Sequence, residues 1–325
     1  MAAIKSDAAQ IRAFLRGLGR AGWLGAHRSD WPNQVYHYTD AHNLASILKS
    51  GRLLSRDQCR QQNVAIVDSA DQEIIQQSRP AHKWVRLYFR PLTPTQYHME
   101  GTQPVAQRRH GACCPIPVFL IFDSAALLCR KGCSFSDGNI AKYDHRIGDD
   151  VKFLRSLKFE DIYHLGPVPA DDKPQIIFAR NAEVLVESHL GLEDLRHVVC
   201  RTPAERETLL YLLGNDATKW QRVIRLEQMG EALFYRHWAF VERVALLDDA
   251  VQVRFRRPAA EYELQVTVWD AQRQKQPPVV KDFGRGLLPT TALVPVPSAF
   301  DEARVRVQLE GCTAYHAVVT QRQLF

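Results

Sequence analysis

The stretch VYHYTDAHNLASILKSGRLLS, residues 35–55, sets a short apolar strand, a His-x-Thr triplet and a turn-bounded helix in immediate succession. Asp40 suits a helix N-cap, because a carboxylate there accepts from backbone N–H groups that the first turn leaves unpaired. Ala41, Leu44, Ala45, Ile47 and Leu48 recur at helical spacing and form a stripe that packs on a sheet. Gly51 supplies the stop, since glycine adopts the left-handed conformation of a helix end at little steric cost. His37 and Thr39 stand two apart and therefore share one face at a strand-to-helix junction, where folds often hold ligands. By residue type alone, the same two side chains serve to satisfy backbone groups.

The chain has 325 residues, 46% hydrophobic and 24% charged, enough for one large domain or two moderate ones. Its 42 basic and 36 acidic residues leave a net charge of +6, which permits an anionic partner such as nucleic acid or a dinucleotide without requiring one. No run of about 18 apolar residues occurs, as a membrane-spanning helix would need. The N-terminal MAAIKSDAAQIRAFLRGLGRAGW reads as an amphipathic helix broken by Arg and Lys rather than a signal peptide, which predicts a cytoplasmic protein. Of seven cysteines, Cys113, Cys114, Cys129 and Cys133 invite a zinc reading. Two adjacent thiolates reach one tetrahedral ion poorly, so reduced structural thiols and no metal are expected.

Further along, the alternation of WVRLYF predicts a strand at residues 84–89, PIPVFLIF predicts a buried strand, and another is expected from Glu183 to Val186. A helix is expected near Ser69 to Ser78. The strands lack a regular strand-helix repeat, which predicts an α+β fold. After about residue 215 the pattern changes. TKWQRVIRLEQMGEALFYRHW reads as helical, and from Ala239 six segments alternate at period two, as in a small β-sandwich. Residues 1–215 and 216–325 are accordingly two units. Arg254, Arg256 and Arg257 form a basic cluster suited to phosphate, although a solvated strand face has the same composition.

In order, His37-x-Thr39, Asn43-Leu44, Ile47 with Gly51, the Asp71 to Arg79 segment, VRLYFRPLTPTQY, SDGNIA and ARNAEVLV resemble the DarT family of DNA ADP-ribosyltransferase toxins, over about residues 34–213. The resemblance implies an ADP-ribosyltransferase fold, NAD as ADP-ribose donor, no metal, and a base of single-stranded DNA as acceptor. It further implies a role in toxin–antitoxin systems or phage defence, with a macrodomain-type antitoxin hydrolase as partner. Carried over residue by residue, His37, Thr39 and Asn43 would hold NAD, and Arg79 and Glu183 would be catalytic. In this chain Leu92-Thr93 stands where the family commonly places an arginine before Ser-Pro.

The chemistry such residues would do follows from the bond broken. Cleaving nicotinamide from ribose develops oxocarbenium-like charge, which a carboxylate stabilises. Glu183 would also take the proton from the attacking base, a role suited to a raised pKa. Tyr88 and Tyr97 are candidates to stack on nicotinamide or an unpaired base, with core packing as the alternative for such aromatics. Glu187, Asp137 and Glu100 are competing carboxylates. Two other functions fit: an ADP-ribosyltransferase acting on protein or water, and a single-strand-binding module without catalysis.

Overall fold

A computed structural model of the chain describes all residues except 1–2, 68–78, 109–110, 112, 142–143, 257–259, 273–276, 298–299 and 322–325. The expected helix near Ser69 to Ser78 and the side chain of Arg257 lie outside the described residues. The first unit contains strands Gln34–Asp40 (β1), Arg52–Leu54 (β2), Trp84–Tyr88 (β3), Pro117–Asp123 (β4) and Cys133–Ser136 (β5). Ile147–Gly148 (β6), Glu183–Glu187 (β7), His189–Gly191 (β8), Leu195–Cys200 (β9) and Ile224–Leu226 (β10) follow. Eight of them form one sheet in the order β10, β9, β4, β1, β3, β7, β5, β6, while β2 pairs with β8. The apolar run of β4 is central because both its faces are covered. Strand β1 pairs with it along its whole length, from Gln34 opposite Asp123 to Asp40 opposite Pro117.

The N-terminal helix Ala8–Leu18 (α1) buries Ile11 and Leu15, and the helix Ala41–Ser50 (α2) buries all five residues of its stripe. Asp40 caps α2 by accepting from the His42 backbone N–H at 2.9 Å, and Gly51 ends it at φ 71°. The junction that carries His37 and Thr39 is thus fixed by a central strand on one side and a capped, docked helix on the other.

From Phe240 the chain builds a sandwich, with strands Phe240–Leu246 (β11), Ala250–Arg256 (β12), Glu261–Asp270 (β13), Val279–Leu287 (β14), Thr291–Pro295 (β15), Glu302–Leu309 (β16) and Cys312–Thr320 (β17). A three-stranded sheet, β11-β12-β15, packs on a four-stranded sheet, β14-β13-β16-β17. Among the described residues seven strands replace the expected six, because β14 is an edge strand, almost wholly exposed, and shows no alternation to read. The segment expected to be helical, Thr218 to Trp238, keeps only the short Ala217–Trp220 helix. Its β-branched Val223-Ile224 leads into β10, which pairs in parallel with β9, and Leu233 and Phe234 join the same core, so the first unit runs to Phe234 and past the expected boundary at residue 215.

What holds that extended segment is a buried charge cluster. Glu100 accepts from the backbone N–H groups of Tyr235 (2.9 Å) and Arg236 (2.8 Å) and from Gln96 Nε2 (2.8 Å). Arg201 donates to Glu205 through Nε at 3.0 Å and reaches Glu100 at 3.4 Å. Removing one member leaves buried partners unpaired. Glu100→Ala is therefore expected to cost about 3–5 kcal/mol of stability, read by denaturant unfolding.

Candidate active site

A cleft of about 330 Å³ opens beside the β1–α2 junction, and His37, Thr39, Asn43, Arg52, Arg56 and Arg86 are among the residues lining it. The side chains of β3 alternate, with Val85 and Leu87 in the core and Trp84, Arg86 and Tyr88 on the less buried face. Antiparallel pairing sets Tyr88 opposite Glu183 and Arg86 opposite Leu185, so Arg86 and Glu183 are diagonal neighbours on one face.

Glu183 is 0% exposed. Arg86 Nε and Nη2 both donate to its Oε1, at 3.0 and 2.5 Å, and the Ile140 backbone N–H donates to its Oε2 at 3.3 Å. Burial pushes the Glu183 pKa above the usual carboxylate value, and Arg86 opposes that push. Burial also works against the charge of Arg86, but Glu183 overcomes it and keeps the guanidinium protonated. Burial, reinforced by Glu183, drives the Tyr88 phenol up to about 12.

The SDGNIA segment wraps this pair. Ser136 Oγ accepts from the Glu183 backbone N–H at 3.1 Å, and Asn139 Oδ1 accepts from Arg86 Nη2 at 3.1 Å. Gly138 is required by close approach: a Cβ there would meet the Phe178 ring at 2.2 Å. Arg86 lines the cleft, whereas Glu183, wholly buried, touches it only through its ion pair with Arg86.

His37 Nδ1 lies 3.0 Å from the Arg86 carbonyl oxygen. A carbonyl only accepts, so Nδ1 carries the proton. Burial lowers the His37 pKa, so the ring is neutral and Nε2 offers a lone pair. Thr39 Oγ1 accepts from Asn43 Nδ2 at 3.2 Å. The Asn43 amide also exchanges two 2.8 Å bonds with the Val67 backbone and so closes a loop over the cleft wall.

The other sequence-derived residues fall elsewhere. Arg79 is exposed at the start of the Arg79–Lys83 turn that feeds β3, and Ala81 and His82 of the same turn line the cleft. Tyr97 is 47% exposed and stacks flat on His237 at 4.6 Å. Arg254 and Arg256 project from β12 to solvent, Arg254 within 3.5 Å of Glu242, and neither lines the cleft. Arg86, Arg52 and Arg56 were not singled out in the sequence, although period two in WVRLY already sets Arg86 on the face of Tyr88.

Among the described residues, no group of three or more His, Cys, Asp or Glu is placed to hold a metal ion. Cys113 donates to the Gly101 carbonyl and Cys129 to the Ala8 carbonyl. Nor, among these residues, is any helix long and apolar enough to cross a membrane.

Thermus sp. 2.9 DarT in complex with NAD+ matches at a TM-score of 0.47 and 20% identity, over 63% of this chain and 98% of that one. The same protein in complex with ADP-ribosylated ssDNA matches at 0.47 and 19%, over 63% and 97%. Thermosipho africanus DarTG in complex with ADP-ribose matches at 0.47 and 16%, over 66% of this chain and 53% of that one. No curated protein matches. The profile described as ssDNA thymidine ADP-ribosyltransferase, DarT, matches residues 36–234, more than half of the sequence. This chain therefore belongs to the DarT family of single-stranded-DNA thymidine ADP-ribosyltransferases.

Proposed function

We propose that this protein transfers ADP-ribose from NAD+ to thymine in single-stranded DNA, using the cleft between α2 and β3. The observation that carries the reading is a wholly buried carboxylate, Glu183, clamped by a guanidinium that lines the cleft. The lining suits the donor. Arg52, Arg56 and Arg86 offer planar cations to a pyrophosphate, and Thr39, Asn43 and His37 offer hydroxyl, amide and imidazole groups to ribose and nicotinamide.

In the reaction, the bond between the nicotinamide nitrogen and the ribose anomeric carbon breaks, and nicotinamide leaves with the bonding pair. The anomeric carbon becomes oxocarbenium-like and Glu183 offsets that charge. The ring nitrogen of thymine that carries a proton attacks the same carbon. Glu183 accepts that proton, so one bond forms as the other breaks and charge balances. His37, neutral and with Nε2 free to accept a ribose hydroxyl, positions the sugar. Arg79, exposed two residues before the cleft-lining Ala81, would serve as a cation for DNA or donor phosphate, and Tyr88 and Tyr97, which flank the cleft without lining it, as aromatic surfaces for nicotinamide and the acceptor base. A modified template strand stops replication, which fits a toxin or anti-phage effector in the cytoplasm, reversed by a macrodomain-type hydrolase.

The test is incubation with adenylate-labelled NAD+ and single-stranded oligonucleotides that differ in one base. Label confined to the thymine-containing strand is expected. Label on protein alone, or free ADP-ribose without an acceptor, would assign the cleft to protein modification or NAD+ hydrolysis. Salt-sensitive strand binding that survives Glu183→Ala, without NAD+ turnover, would make this a binding module. Within the site, His37→Ala is expected to raise KM for NAD+ about 10-fold with a smaller change in kcat, in steady-state assays with the donor varied.

A further inference from the structure

The outer face of the four-stranded sheet carries a basic and aromatic arrangement that the transferase fold alone does not call for. Strand register sets Trp269 opposite Arg304, and Arg306 opposite Thr267 and His316, so these side chains share one face. The opposite face, with Val266, Val268, Val305 and Val307, is the sandwich core. Both guanidiniums lie over the indole, Arg304 at 4.4 Å and Arg306 at 5.5 Å from the ring centroid. Among the described residues, the buried Nε of each has no acceptor. An aromatic face therefore holds both cations, which leaves their outer N–H edges available to an anion.

This face continues to the cleft. His316 stacks at a tilt on Tyr211, 4.7 Å between centroids. Tyr211 belongs to the helix Pro203–Leu213, whose next residue, Leu212, lines a depression with His42 and Lys49 of α2, and the depression shares Asn43, Ser46 and Val67 with the cleft. His42 Nδ1 bonds Asp40 at 2.8 Å, which raises the His42 pKa and favours its cationic form. Cations and aromatic rings thus alternate from Arg304 to the mouth of the cleft.

We propose that this face is the track along which single-stranded DNA approaches the transferase cleft. Arg304, Arg306, Lys49 and His42 take successive phosphates, and unpaired bases stack on the guanidinium planes of the Arg304–Trp269–Arg306 cluster, which His316 and Tyr211 extend toward the cleft. The pattern suits a single strand, since stacking platforms interleaved with cations need bases free of a duplex. The inference rests on the DNA-acceptor reading above and extends it to the sandwich.

Full-length protein is to be assayed with thymine-containing oligonucleotides of about 4 and about 20 nucleotides, which fill the cleft alone or the cleft and the track. The longer strand is expected to have the lower KM. In R304A/R306A, KM for the longer strand rises about 10-fold and the advantage of length disappears. Binding of a fluorescent strand of about 20 nucleotides, without NAD+, loses about 1.4 from its log-log salt slope, two phosphate contacts at about 0.7 each. R304K/R306K restores the slope, which a variant with merely disturbed folding would not do.

Three results overturn the proposal: an unchanged salt slope, equal loss for both lengths, or loss of the length advantage in R254A/R256A instead. If no oligonucleotide is modified at all, the acceptor reading fails. The anisotropy measurement still reports on the track by itself.

Discussion

Glu183→Gln is expected to lower the rate of ADP-ribose transfer about 100- to 10,000-fold while the protein stays folded. The Gln amide oxygen still accepts from Arg86, but its NH2 group then faces the Ile140 backbone N–H, two donors in contact. That mismatch costs about 1–3 kcal/mol, so the loss of rate greatly exceeds the loss of stability. Glu183→Ala is a poorer test, because it also strands the Arg86 cation, at about 3–5 kcal/mol. Single-turnover transfer beside a denaturant melt separates the two effects. A Gln variant with wild-type turnover would remove Glu183 from the chemistry.

The parent enzyme should also show an acid limb above the ordinary carboxylate range, because burial raises the Glu183 pKa and only the deprotonated form can accept a proton. The sign for stability runs the other way. A carboxyl whose pKa is raised by folding contributes its stability at low pH and loses it as pH rises through the folded value. Catalysis therefore uses the protonation state that the fold favours less.

Arg86→Met carries the second large effect. Without its cation, burial acts on Glu183 unopposed and the carboxyl pKa climbs further. Transfer at neutral pH is expected to fall about 100-fold and to recover in part at alkaline pH, with the acid limb displaced upward. A full pH–rate profile of the variant measures this directly. Were Arg86 only a plug over the carboxylate, the variant would instead be faster at every pH.

The β1–α2 junction could be read from the sequence because each of its signals is local: a capping carboxylate, a five-residue stripe and a stop glycine. The face of Glu183 could be read as well, since alternation along a strand needs no partner. Its clamp was harder. Arg86 and Glu183 are 97 residues apart, and only the antiparallel pairing of β3 with β7 makes them diagonal neighbours. Arg52 and Arg56 reach the cleft through a three-residue strand and a six-residue helix, both too short to show a periodic pattern. The helical reading of Thr218 to Trp238 failed for a similar reason. Glu100, more than a hundred residues earlier, holds that backbone extended, and local propensity carries no trace of such a partner.

The helix Pro203–Leu213 belongs to both units. Thr202, its cap, donates to the Val241 carbonyl, Glu207 accepts from the Tyr315 hydroxyl, and Thr208 accepts from the His316 backbone N–H. The family match ends at Phe234, yet a chain cut there would lose every one of these bonds and bare the helix flank that contacts β17. The sandwich is thus a co-requisite of the catalytic half rather than a cargo appended to it. Heating should melt both halves in a single transition, and lineages that exchange this module for another would have to rebuild the helix with it.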